Sequence, residues 1–129
     1  MIIGVLKEPT AETRVSILPE QVIILKKWNA EILVETNAGA LAFANDQQYT
    51  DAGAKVVSRN EVLQGSEFIL SINSPDKSEI DNLKSKIVLG VYQPLSNTGL
   101  MKSMAEKNIT VFSMDMLPRT TRAQSMDIL

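Results

Sequence analysis

The sequence contains neither cysteine nor histidine. Without cysteine there is no disulfide and no thiolate to act as nucleophile or metal ligand. Without histidine the usual proton carrier at neutral pH is gone, as is the commonest metal ligand. Any chemistry must rest on carboxylates, arginine, lysine, amides and hydroxyls, or on a bound cofactor; no metal is expected. The six glycines (Gly4, Gly39, Gly53, Gly65, Gly90, Gly99) never fall into a GxGxxG or GxxxxGK pattern, so the chain shows no phosphate-cradling loop. HExxH, calcium-loop and GxSxG motifs are absent too. The opening MIIGVLKEP has no basic leader region or cleavage site. No apolar run approaches the roughly 18 to 20 residues that cross a bilayer. These absences predict a soluble, cytoplasmic chain. Thirteen basic residues face fifteen acidic ones, net −2, which leaves no basic footprint for nucleic acid.

What remains is one domain's worth of chain, 129 residues, in which β-rich apolar runs alternate with helix-like segments. Ile2–Leu6, Glu31–Glu35, Lys55–Val57, Glu67–Ile72, Ile87–Tyr92 and Thr110–Ser113 read as strands. Pro19–Trp28, Asn45–Ala52, Asn60–Gln64, Ser78–Leu83 and Asn97–Glu106 read as helices, and Arg122–Leu129 as one just begun. Pro19 suits a first helical position, and Gly53 is placed to end its helix. Trp28 is assigned to packing its helix onto the sheet, and most methionines to core filling. The alternation predicts right-handed βαβ units in an α/β, Rossmann-like or flavodoxin-like three-layer fold, a parallel sheet with helices on both faces. Such folds bind ligands at the carboxyl ends of their strands. Here those ends lead into Lys7–Ile17, Asn73–Lys77, Gln93–Thr98 and Met114–Thr121, each with a proline near its start or middle. The abrupt apolar end, Ile128 and Leu129, is expected to reflect truncation or continuation by a second polypeptide. If it leaves apolar surface exposed, it favours self-association.

Two polar clusters sit in these loops. Pro118 to Asp127 holds Arg119, a fork of donors, and Gln124, whose amide matches a carboxamide; Thr121 is placed as a helix cap. The plainer reading is a capped helix start with surface ion pairs. Lys7 to Arg14 is the second cluster. Arg14 is suited to a carboxylate or phosphate, and its plainer reading is a solvated charge.

The segment from Met116 to Asp127 (MLPRTTRAQSMD) resembles the PRxxRAQSMD signature of NAD(P) transhydrogenase alpha subunits. Gly4–Ile17 (GVLKEPTAETRVSI) resembles the opening shared by alanine dehydrogenases and transhydrogenases. Glu35 to Ala40, Tyr49 to Ala54 and Ile69 to Pro75 resemble further segments of that family, so the likeness spans the chain. The resemblance implies the amino-terminal domain of the NAD(H)-side subunit of a proton-translocating transhydrogenase, which transfers hydride between NADH and NADP. It implies NAD(H) in a cleft shared with a Rossmann domain not contained in residues 1–129, and NADP(H) on a partner domain. It implies membrane and NADP-binding partner subunits, a homodimer, and a cytoplasmic location at the inner membrane. By position Arg119, Gln124 and Asp127 match the family's cofactor contacts, with Gln124 and Asp127 nearest the catalytic step. Arg14 and Asn73 match a substrate-like pocket. Alanine dehydrogenases carry a catalytic histidine near Gln93 and a substrate lysine at Asn73; both are missing here, which argues against an alanine dehydrogenase. The family's lysine two residues earlier is Ser71, and its helix cap before Pro19 is Leu18, a loss expected to cost about 1 kcal/mol. A non-catalytic interaction module is the reading from another class. The isolated chain is expected to be inactive.

Overall fold

The computed structural model describes residues 1–9, 11–92 and 98–114. Six parallel strands form one sheet: β1 (Ile2–Val5), β2 (Glu31–Glu35), β3 (Lys55–Val57), β4 (Phe68–Leu70), β5 (Ile87–Gly90) and β6 (Thr110–Ser113). Their order is β3-β2-β1-β4-β5-β6. This is the nucleotide-fold order with its switch point between β1 and β4, and not the flavodoxin order. Gly4 marks the register, facing Leu33 of β2 and Ile69 of β4.

The four α-helices are α1 (Pro19–Lys27), α2 (Asp46–Asp51), α3 (Arg59–Gly65) and α4 (Thr98–Glu106). Alternate residues of the strands feed two cores, one on each face. Ile3, Val5, Ile32 and Val34 pack with Val22 of α1 and Tyr49 of α2. Ile69 and Val88 pack on the other face with Val62 of α3 and Met104 of α4. Gly4 lies under α3, where an added Cβ would collide with Ser66 and Val62. Three layers are therefore built as the alternation predicts. Among the described residues no helix is long and apolar enough to cross a membrane.

Four expectations are corrected. Trp28 does not pack onto the sheet: it is 73% exposed. It sits at the C-cap of α1, past the last helical turn, with φ −94° and ψ 17°. Lys77–Leu83 is a 3₁₀ segment and not an α-helix, and its buried Ile80 and Leu83 stand one 3₁₀ turn apart. The strands from Glu67 to Ile72 and from Ile87 to Tyr92 are shorter than expected, ending at Leu70 and Gly90. A 3₁₀ turn at Ala40–Ala42 was not expected at all. The expected helix Arg122–Leu129 lies outside the described residues.

The start of α1 has no side-chain cap from Leu18, as expected. Gln21 compensates in part, its Oε1 accepting from the Leu18 backbone N–H at 2.7 Å. α2 is fully capped, since Asn45 and Gln48 each accept the other's backbone N–H.

Candidate functional site

The chain leaves β1 and β4 side by side at the switch point. Leu6 N–H still donates to the Leu70 carbonyl at 3.1 Å, but two residues later the ladder has ended. The backbone N–H groups of Ile72 and Asn73 then need an acceptor. Glu8, 6% exposed, supplies it. Its Oε2 accepts from Ile72 N–H and its Oε1 from Asn73 N–H, both at 2.8 Å, while the Asn73 side-chain amide donates to Oε1 at 3.2 Å. Burial pushes the Glu8 carboxyl above the usual range, against the opposing pull of these donors.

Arg14 grips Glu12, with Nε donating to Oε1 at 2.9 Å and Nη2 to Oε2 at 3.0 Å. That fork, aided by the nearby Asn73 amide, holds the Glu12 carboxyl down to about 2. Arg14 is thus engaged by Glu12 and Asn73 by Glu8. Among the cavities formed by the described residues, Arg14 and Asn73 border different ones. Arg14 borders a cleft of ≈450 Å³ whose walls include Ser16, Leu18, Leu70, Leu89 and Met114. Asn73 borders a second, with Lys7, Glu35 and Arg59. Ser71 lines both.

The larger cleft is mostly apolar and lies at the carboxyl ends of β4, β5 and β6. Ser16 Oγ is buried beside it with no hydrogen-bond partner among the described residues. Ser71 Oγ and Tyr92 Oη share a proton-bearing contact of 3.0 Å, and burial pushes the Tyr92 phenol above its ordinary value. The Tyr92 phenol therefore stays protonated at neutral pH.

A third constellation escaped the sequence reading. Half-buried Arg59 binds both oxygens of Glu79, at 2.5 and 2.8 Å. It also donates to Glu35 Oε2 at 2.9 Å and to the Lys7 carbonyl at 3.1 Å. Glu35 in turn accepts from Lys7 N–H at 2.5 Å. Arg59 holds the Glu79 carboxyl below its usual range, and its own proton is bound more firmly. The available signal was Glu35 at the end of the second strand, where dinucleotide folds place an acidic ribose ligand. Here that carboxylate is engaged by Arg59.

The described residues offer an apolar wall with a few polar groups, suited to a flat aromatic amide such as a nicotinamide ring. They offer no phosphate cradle. The backbone N–H groups of Ile72 and Asn73 at the switch point serve Glu8. Arg119, Gln124 and Asp127, like Gln93, lie outside the described residues; the cleft's wall at Met114 is the last described point before them.

Residues 4–129 match the alanine dehydrogenase/PNT, N-terminal domain family. The sequence is 37% identical to the NAD(P) transhydrogenase subunit alpha of Haemophilus influenzae, over 100% of this chain and 25% of the relative. It is 32% identical to the NAD(P) transhydrogenase subunit alpha of Cereibacter sphaeroides, over 92% of this chain and 23% of that protein. The crystal structure of transhydrogenase from Sinorhizobium meliloti superposes with a TM-score of 0.94 at 34% identity, covering 100% of this chain and 39% of that one. An L-alanine dehydrogenase structure superposes less closely, with a TM-score of 0.82 at 28% identity over 88% of this chain. The chain thus spans between 23% and 39% of the transhydrogenase relatives named here.

Proposed function

This chain belongs to the alanine dehydrogenase/PNT N-terminal domain family, and from that premise we propose that residues 1–129 form the amino-terminal domain of the NAD(H)-side alpha subunit of a proton-translocating NAD(P) transhydrogenase. In this reading the domain is one wall of a cleft. A Rossmann domain outside this chain forms the other wall and holds the dinucleotide's phosphates. NADP(H) binds on a further partner domain, and the assembly sits on the cytoplasmic side of the inner membrane through its membrane subunit. Without those parts the chain does not transfer hydride.

The observation that carries the reading is the combination at Asn73. The residue stands where alanine dehydrogenases place a lysine, and its amide is spent on Glu8. With no histidine anywhere in the chain, the domain lacks the side chain whose ordinary pKa suits proton transfer to or from an amino-acid substrate at neutral pH. Hydride exchange between two nicotinamides needs none. Arg119 and Gln124 would orient the carboxamide, with Asp127 beside them, and the apolar wall of Leu70, Leu89 and Met114 would keep water off one face of the ring. The bound nicotinamide supplies the hydride chemistry itself.

Titrating the 129-residue chain with NADH, read by backbone amide chemical shifts, tests this. Shifts gathered on Arg14–Ser16 and Arg119–Asp127 that saturate by millimolar NADH support it. Flat spectra from a folded chain would remove the nicotinamide-reading role from this domain. Robust hydride transfer by the chain alone would overturn the claim that a second domain is required.

A further inference from the structure

The chain leaves β2 at Glu35 and reaches α2 at Asp46 through a loop with two pinned feet. At the first foot Asn37 takes a left-handed φ of 65°, and its backbone N–H donates to Asp46 Oδ1 at 2.9 Å. Ala38 and Gly39 follow, both buried. The Gly39 carbonyl accepts from Ala42 N–H at 3.0 Å and from Ala44 N–H at 2.9 Å. A Cβ on Gly39 would stand 2.6 Å from the Ala44 carbonyl oxygen, so glycine is what lets the loop close this tightly. Ala44 is buried and forms the second foot.

Between the feet the loop lifts Leu41 and Phe43 into solvent, 52% and 96% exposed. Single exposed apolar side chains are ordinary. Phe43 is not ordinary, because its φ of 61° and ψ of 26° form a left-handed conformation that a bulky side chain rarely adopts. Strain of that kind persists only where the surrounding structure dictates it, and it gathers at functional contacts. Here the pinned feet dictate it. They hold the backbone in an unfavourable shape and present a ring that no described residue covers.

The position of the tip points to its partner. Ala42, between the two large side chains, lines the ≈450 Å³ cleft with Leu18 and Met114, so the tip stands on that cleft's rim. The charges near it disfavour a lipid surface. Glu8 and Glu12 share the cavity beside Leu41 with one lysine, Lys7, and Asp46 braces the loop's foot, whereas anionic headgroups call for clustered lysine and arginine. The chain spans only 23% to 39% of its transhydrogenase relatives, and the reading above draws the cleft's second wall from outside it. We propose that Leu41 and Phe43 form a docking knob that enters an apolar recess on that second, Rossmann domain and sets the spacing of the two walls. The inference rests on the two-domain cleft of the proposed function and adds to it the residues that join the domains.

Hydrogen exchange at the Leu41 and Phe43 amides, compared between the isolated chain and the complete alpha subunit without nucleotide, tests the contact. Exchange in the complete subunit is expected to be slower by about tenfold or more. Phe43→Gly removes the ring and suits the left-handed backbone, so the isolated variant should unfold no earlier than the unmodified chain. In the complete subunit the same change should weaken NADH binding about tenfold, the effect of exposing roughly half a phenylalanine ring. Phe43→Leu keeps an apolar knob and should bind within about threefold of the unmodified subunit. Equal exchange in the two forms, or a Phe43→Gly subunit that binds NADH as tightly as the unmodified one, would overturn the proposal. So would protection that appears only with NADH, which would assign the tip to the nucleotide, or that rises with the concentration of the isolated chain, which would assign it to a second copy. A protected tip in a subunit that binds no NADH would uphold the docking and sink the nucleotide reading instead.

Discussion

Glu8→Ala removes the acceptor of three N–H groups at once. Two are backbone donors, on Ile72 and Asn73, and cannot turn away. The third, the Asn73 amide, can swing to solvent. An orphaned buried donor costs about 1–3 kcal/mol, so two cost roughly 2–6 kcal/mol. Two opposing effects lower that figure. Glu8 borders cavities on both sides, through which water can reach a donor, and its removal also relieves a buried charge. The expected net loss is about 2–3 kcal/mol. Glu8→Gln keeps the shape and one acceptor oxygen. If that oxygen serves Asn73, the new amide N–H faces the Ile72 N–H, and the loss should be about 1–2 kcal/mol. The pH dependence has a definite sign. Burial raises the folded-state pKa of Glu8 above the unfolded value near 4.5. The folded chain therefore takes up this proton more readily. Relative to Glu8→Gln, the unmodified chain should gain stability as pH falls from neutral, in full once pH is below about 4.5, and lose it as pH rises through the folded pKa. Urea unfolding followed by far-ultraviolet circular dichroism measures both effects. Fluorescence is the poorer probe, because Trp28 is already in water when the chain is folded. A Glu8→Ala variant within about 0.5 kcal/mol of the unmodified chain would refute the clamp.

Gly90→Ala should cost about 3 kcal/mol or more by chemical denaturation, because an added Cβ would overlap the Ser71 carbonyl and the Tyr92 ring, and the carbonyl belongs to the backbone; a neutral outcome would contradict this packing. Leu18→Ser should stabilise the fold by about 1 kcal/mol, completing with Gln21 a reciprocal cap that Leu18 leaves half made; an unchanged unfolding midpoint would count against it. Arg59 holds Glu79 below the ordinary glutamate value near 4.5, so the stability from that pair is present above pH about 4.5 and lost as pH falls through the folded pKa. A Glu79→Gln variant should therefore show a flatter acid limb in a stability-against-pH series, and coincident limbs would remove the pair from the account.

The strands were legible because buried parallel strands are short, continuously apolar runs, as in Ile2–Val5 and Glu31–Glu35. Helices were legible where a residue marked one of their ends, as Pro19 does at the start of α1 and Gly53 just after α2. Trp28 misled because a large aromatic at a helix end was assigned to the sheet: at 3.6 residues per turn it lies about 120° round from Val22, and it has already left the helix. The site was legible only in part. The Lys7–Arg14 loop and Asn73 could be named from their places after strands. Glu8 as a clamp could not, since its partners lie 64 and 65 positions away and two of them are backbone N–H groups, which leave no trace in a sequence. The same holds for Arg59, whose carboxylate partners come from β2 and from the 3₁₀ segment Lys77–Leu83.

The strand order and the missing glycine loop look contradictory until Glu8 is considered. The order β3-β2-β1-β4-β5-β6 opens a crevice between β1 and β4, where related folds offer bare N–H groups to a pyrophosphate. In this chain the β1 loop carries no glycine after Gly4 and delivers a carboxylate into that place. That carboxylate accepts from Ile72 and Asn73 in the loop after β4, and its negative charge repels a phosphate at the same crevice. The acid at the end of β2, free to take a ribose in those folds, is bound by Arg59. The cleft that stays open lies past β4, along β5 and β6, and its lining is apolar. The described residues leave room there for a flat, uncharged ring and present no cradle for a diphosphate. That is the division of labour proposed above, in which another domain holds the dinucleotide's charged half.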